Sequence, residues 1–157
     1  MPEVRFYHLT RTPLEATLPA ILETSLSRGW RVLVQCGDQN RMGFLGEKLW
    51  TARPDSFLPH GMSTAENAAD QPILLTMDTE NLNNASVLML VDGAKSNPKR
   101  MAEFDLACLF FDGNDDAAVN AARSDWKAVC DAKIQAVYWA QDGDGRWVKK
   151  AESAAVG

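Results

Sequence analysis

Four short runs decide what this chain can fold into: Arg31-Val-Leu-Val-Gln35, Pro72-Ile-Leu-Leu-Thr76, Ser86-Val-Leu-Met-Leu-Val91 and Ala107-Cys-Leu-Phe-Phe-Asp112. Each sets apolar residues side by side instead of alternating them with polar ones. A strand of that kind is covered on both faces, and such strands belong to parallel sheets flanked by helices. Val4 to Leu9 and Ile134 to Ala140, rich in β-branched and aromatic residues, add a first and a last strand.

Between the strands the period changes from 2 to 3.6. Leu14, Leu18, Ile21, Leu22 and Ser25 lie on one helical stripe, with Thr12 as cap, Pro13 in the first turn and Gly29 as the stop. Asp38 is placed to cap a second helix on which Met42, Leu45 and Leu49 share a face. Asn114, Asp115 and Asp116 open a third, running to about Lys133, because acidic residues suit a helix N-terminus. Strands alternating with helices predict an α/β sandwich with a mainly parallel sheet. One domain over residues 1–150 is expected. Asp142 to Gly145 form a turn toward Trp147, and the tail 151–157 is expected to be disordered.

Between the second helix and the next strand the chain reads Leu49-Trp-Thr-Ala-Arg-Pro-Asp-Ser-Phe-Leu-Pro-His-Gly61. Pro54 and Pro59 fix φ and push Arg53 and Leu58 to extended conformations. A rigid loop carrying Trp50, Phe57 and Leu58 has either a core to dock on or a partner to bind, and spacing alone leaves both open. The stretch from Met62 to Gln71 is polar and is expected at the surface.

The chemistry that such a fold often carries is missing. The turn after the second strand, Cys36-Gly-Asp-Gln-Asn-Arg-Met-Gly43, has neither the G-x-x-x-x-G-K-[ST] phosphate loop nor its lysine, and no G-x-G-x-x-G opens a helix. Of the two histidines, His8 lies in a strand and reads as structural; His60 either bonds the loop backbone or meets a partner. Asp112, Asp115 and Asp116 could together hold a hard cation, but helix capping explains Asp115 and Asp116 more simply. Cys36, Cys108 and Cys130 form no C-x-x-C pair and read as the buried thiols of a cytoplasmic protein. No basic-then-apolar leader and no membrane-length apolar run are seen, so neither export nor a membrane is expected. The net charge of −5 opposes a whole-surface grip on nucleic acid.

One helix face does suit a ligand. On the segment 114–133, Val119, Ala122, Trp126 and Val129 make the apolar stripe, and Arg123 and Lys127, four apart, flank it. Two cations beside an indole fit an acidic peptide that ends in an apolar residue, since a guanidinium grips a carboxylate and the ring walls a side chain. Trp126 as plain core, with the cations on a solvated face, is the competing reading.

Taken together, these residues resemble the chi subunit family of bacterial DNA polymerase III. The likeness rests on Phe6-Tyr7, on Arg28-Gly-Trp-Arg-Val-Leu-Val34, on Leu49-Trp50 with Pro54-Asp-Ser-Phe57-Leu-Pro-His60, and on Ala122-Arg123 with Trp126-Lys127. The resemblance implies a three-layer, Rossmann-like fold without a nucleotide-binding loop, no catalytic or metal residues and no cofactor. It implies a clamp-loader accessory subunit whose partners are the psi subunit and the acidic C-terminal tail of single-stranded-DNA-binding protein, with DNA met only indirectly. Arg123, Trp126 and Lys127 then hold the tail, while Trp50, Phe57, Pro59 and His60 face psi or an equivalent. A basic position of some relatives is Val119 here, which implies weaker tail binding or the use of other cations such as Lys133. Two further classes are a nucleotide-dependent or degenerate helicase-like enzyme on the same fold, and direct single-strand binding through Trp139, Arg146, Trp147, Lys149 and Lys150.

Overall fold

The computed structural model describes residues 2–10, 12–51, 60–62, 69, 71–77, 79–144 and 146–152. In chain order the elements are β1 (Glu3–Leu9), α1 (Leu14–Ser27), β2 (Val32–Cys36), α2 (Gln39–Thr51), β3 (His60–Met62), β4 (Ile73–Thr76), β5 (Val87–Val91), α3 (Pro98–Met101), β6 (Leu106–Asp112), α4 (Asp116–Asp131), β7 (Gln135–Gln141) and β8 (Trp147–Glu152). The strands form one eight-stranded sheet in the order β3-β4-β2-β5-β6-β1-β7-β8. Neighbours are parallel from β3 to β7, and β8 alone runs antiparallel. The expected α/β sandwich with a mainly parallel sheet is what forms.

Every residue of β2, β4 and β5 is buried, as their uninterrupted apolar runs require. Alternate residues feed two cores. On one side Val32, Val34, Val87, Met89 and Cys108 pack with Leu14, Leu18 and Leu22 of α1 and Leu45 and Leu49 of α2. On the other, Val4, Phe6, Leu33, Leu88, Ala107 and Leu109 pack with Met101 of α3 and Ala122 and Val129 of α4. Cys36 and Cys108 are buried, and burial pushes both thiols up to about 12.

Several local expectations need correction. Pro13, not Thr12, occupies the N-cap of α1, and no side chain caps it; the Thr12 hydroxyl pairs with Thr17 instead. A proline at that boundary has no N–H to satisfy and its φ of −73° already suits the entry. Gly29 does end the helix, with φ +78°. His60 is not a loop residue: His60–Met62 form an edge strand paired with Ile73–Leu75. The chain beyond Trp147 is a strand, and β8 carries ordered pairing through Ala151 and Glu152, two residues into the segment expected to fray. The short helix α3 was not foreseen; its cap is Asn97, whose side chain accepts from the Arg100 amide.

Candidate functional site

In a doubly wound sheet, ligands enter at the carboxyl ends of neighbouring strands whose connections leave in opposite directions. Here those are β1 and β6, since α1 carries the chain toward β2 and α4 carries it across β1 to β7. A crevice of about 900 Å³ opens there, lined by Glu15, Asp38, Asp92, Asp115 and Asp125 against the cations Arg41 and Lys95. Arg41 is engaged with Glu15 at 3.3 Å and Asp92 at 3.2 Å, and Lys95 lies 3.9 Å from Asp125. Burial raises the Asp92 carboxyl above its usual range, although Arg41 pulls it back. A phosphate placed here would meet carboxylates, so the crevice does not suit a nucleotide. Asp115 is a helix cap, accepting from the amides of Ala117 and Ala118, and Asp112 accepts from the Asn114 amide. Among the described residues no three acidic, histidine or cysteine side chains come together in a way that could hold a metal.

The arrangement changes on the outer half of the sheet, where α4 packs over β6, β1 and β7. Ala122 and Val129 are buried, as the stripe predicts, and Val119 is partly buried against the same core. Trp126 is half-buried. Its ring stands edge-on to Phe6, with centroids 5.3 Å apart and an interplanar angle of 64°, and edge-on to Tyr138 at 6.0 Å and 76°. Such pairs fix the ring's orientation beyond what area burial alone does. Trp126 therefore has one edge in the core and leaves part of its surface open.

Arg123 and Lys127 are exposed, one turn apart, beside that ring. Neither makes an ion pair among the described residues. Among the described residues both positive charges are thus without an ion-pair partner, unlike Arg41, Lys95 and Lys149. Arg123, Trp126 and Lys127 all lie on α4, within two turns of one another. Of the aromatic loop, residues 52–59, including Phe57 and Pro59, and the side chains of Trp50 and His60 lie outside the described residues. Trp139, Trp147 and Lys149 lie on the opposite face of the sheet, where Lys149 sits 5.8 Å over the Trp139 ring and pairs with Glu152.

Sequence reasoning missed two members of this neighbourhood. Tyr138 of β7 meets Trp126, and its hydroxyl lies 2.5 Å from His8 Nδ1 on β1, 130 residues away. The His8 ring also packs 5.0 Å from Phe111 and fills the space beside Gly113, so it is a structural histidine that fixes a tyrosine. Burial raises the Tyr138 phenol and the positive charge of Arg123 lowers it, which puts that guanidinium on the β7 side of α4.

Fold and site together define a doubly wound α/β protein with an acidic switch point and a basic, aromatic helix face on the outer half of its sheet. Residues 1–136 match the family model described as DNA polymerase III chi subunit, HolC, and the chain belongs to that family. It is 28% identical over 91 residues to the probable DNA polymerase III subunit chi of Rickettsia prowazekii (strain Madrid E), a match that spans 58% of this chain and 55% of that protein. No helix among the described residues is long and apolar enough to cross a membrane.

Proposed function

We propose that this chain is a non-catalytic, cytoplasmic adaptor of the DNA polymerase III holoenzyme. It links the clamp loader to the acidic C-terminal tail of single-stranded-DNA-binding protein, so that the polymerase is held on coated template. The observation that carries the reading is the α4 face: two exposed cations, without ion-pair partners among the described residues, share one helix with an indole held on Phe6 and Tyr138. A carboxylate-rich peptide with an apolar end matches it in charge and in kind. Trp50, Phe57, Pro59 and His60 serve the second contact, to psi or an equivalent clamp-loader partner. That assignment rests on the family resemblance of the loop, and His60 begins an edge strand there.

The test is calorimetric titration of a synthetic acidic tail peptide into the full chain at low and at physiological salt. Arg123→Ala with Lys127→Ala is expected to weaken binding by roughly twofold to thirtyfold, as two exposed charge contacts would. The wild-type affinity is expected to fall as salt rises. Unchanged affinity in the double variant would reject the site.

A further inference from the structure

On the sheet face away from α4, a groove of about 390 Å³ runs along α1. Its helix wall is the flank of Ala16, Ala20 and Thr24, and its sheet wall includes Tyr7, Cys108 and Trp147. The lining begins at Thr12 and ends at Arg28 and Trp30, so the groove follows the helix for about 24 Å. β1 and α1 run in opposite senses. That brings Arg5, near the start of β1, and Arg28, the C-cap of α1, to one end. Trp147 lies at the other, beside Gln141 and Thr12. Between them Tyr7 is stacked on Phe110 at 4.8 Å and met edge-on by Trp147 at 5.1 Å, with Ile21 and Met89 alongside.

The hydroxyls of the groove already have partners. Thr24 donates to the Ala20 carbonyl at 3.0 Å, and Ser25 to that of Ile21 at 3.1 Å. The Thr12 hydroxyl bonds that of Thr17 at 2.7 Å and accepts from the Gln141 amide at 2.7 Å. The arginines have capacity to spare. A guanidinium carries five N–H donors, and Arg5 gives its Nε–H to Glu3. Arg28 is exposed, lies 5.1 Å from the Trp30 ring centroid and makes no ion pair among the described residues.

This distribution selects the occupant. A helix, about 10–12 Å across, is too wide for so small a volume spread over such a length. An extended peptide would bring backbone donors and acceptors to walls whose hydroxyls are committed. A nucleic-acid strand carries a charge at every nucleotide, whereas the cations stand at one end only. A single methylene chain with one terminal anion meets each condition. We infer that the groove binds a long-chain aliphatic carboxylate, with its head on Arg5 and Arg28 and its chain along Ile21, Met89 and Tyr7 toward Trp147. The site is independent of the α4 face.

Calorimetric titration of the full chain with laurate below its micellar concentration tests this. One molecule is expected to bind per chain. Hexanoate is expected to bind at least about fiftyfold more weakly, because fewer methylenes leave water. Dodecyltrimethylammonium, with the same chain and the opposite charge, is expected to lose at least about tenfold. Arg28→Glu is expected to weaken laurate by about fivefold or more, and Ala20→Trp, which fills the groove from its exposed helix wall, to abolish binding. Unchanged melting temperatures show that both variants fold; should Ala20→Trp melt early, Arg28→Glu decides. The acidic tail peptide is expected to bind both variants as it binds wild type, since the two sites lie on opposite faces. Absence of saturable laurate binding below about 1 mM overturns the inference. So does equal affinity for the cationic analogue, or full laurate affinity in either folded variant.

Discussion

Gly37→Ala is expected to destabilise the protein by about 3 kcal/mol or more, lowering its melting temperature by roughly 10 °C. Gly37 follows β2, and its amide donates to the Val91 carbonyl at 3.1 Å. A Cβ there would fall on the Asp92 carbonyl oxygen and come within 2.6 Å of the Ala94 nitrogen. These obstacles are backbone, in a turn already committed to φ +51° at Asp92 and +84° at Gly93, so the turn has little freedom to yield. Gly43 provides the control. It lies within α2 with nothing inside 4 Å of its added Cβ, and Gly43→Ala is expected to stabilise by about 0.5–1 kcal/mol. Urea denaturation of the two variants reads opposite signs from one chemical change. A cost below about 1 kcal/mol at Gly37 would mean that the two turns do not close on each other as described. Their closure also bears on function, because a phosphate loop after β2 would need that room.

Phe6→Ala is the second large effect. Phe6 is fully buried, and its ring supports Trp126 from β1. Loss of a buried phenylalanine costs about 3–5 kcal/mol, most of it from lost burial and the cavity left behind. Here the cavity opens under the indole of the binding face. The variant is therefore expected to lose tail-peptide affinity severalfold at temperatures where it remains folded, although Phe6 meets no ligand. Phe6→Leu, which refills most of the volume, is expected to cost less than half as much and to keep most of the affinity. Urea melts followed by peptide titration separate the two quantities. Full affinity in folded Phe6→Ala would show that Trp126 needs no support from β1.

Much of the fold could be read from the residues because burial on both faces leaves an unmistakable run. β2, β4, β5 and β6 announce themselves that way, and α1 and α4 do so through their stripes. β3 escaped notice because three residues, one of them glycine, carry no pattern, and their strand identity comes from pairing with Ile73–Leu75. β8 was missed for a related reason. An edge strand buries little, and Val-Lys-Lys has the charged content that keeps such an edge from pairing with other chains. Strand order was out of reach, since register depends on contacts far apart in sequence, such as Tyr7 between Phe110 and Trp139.

The site divides in the same way. Arg123, Trp126 and Lys127 lie within two helical turns, and the helix repeat alone puts them on one flank. Tyr138 and His8 are an ordinary tyrosine and an ordinary histidine until β1 and β7 become neighbours. Local geometry was legible; what crosses from helix to sheet was not.

The most direct measurement is a nuclear magnetic resonance titration of the isotope-labelled full chain with the unlabelled acidic tail peptide at low salt. The amides of Arg123, Trp126 and Lys127, and that of Tyr138 beneath the indole, are expected to shift together with one saturation curve, and added salt is expected to reverse the shifts. Shifts confined to the crevice around Arg41 and Lys95, or to the opposite face at Trp139 and Trp147, would contradict the central claim. So would a spectrum unchanged at millimolar peptide.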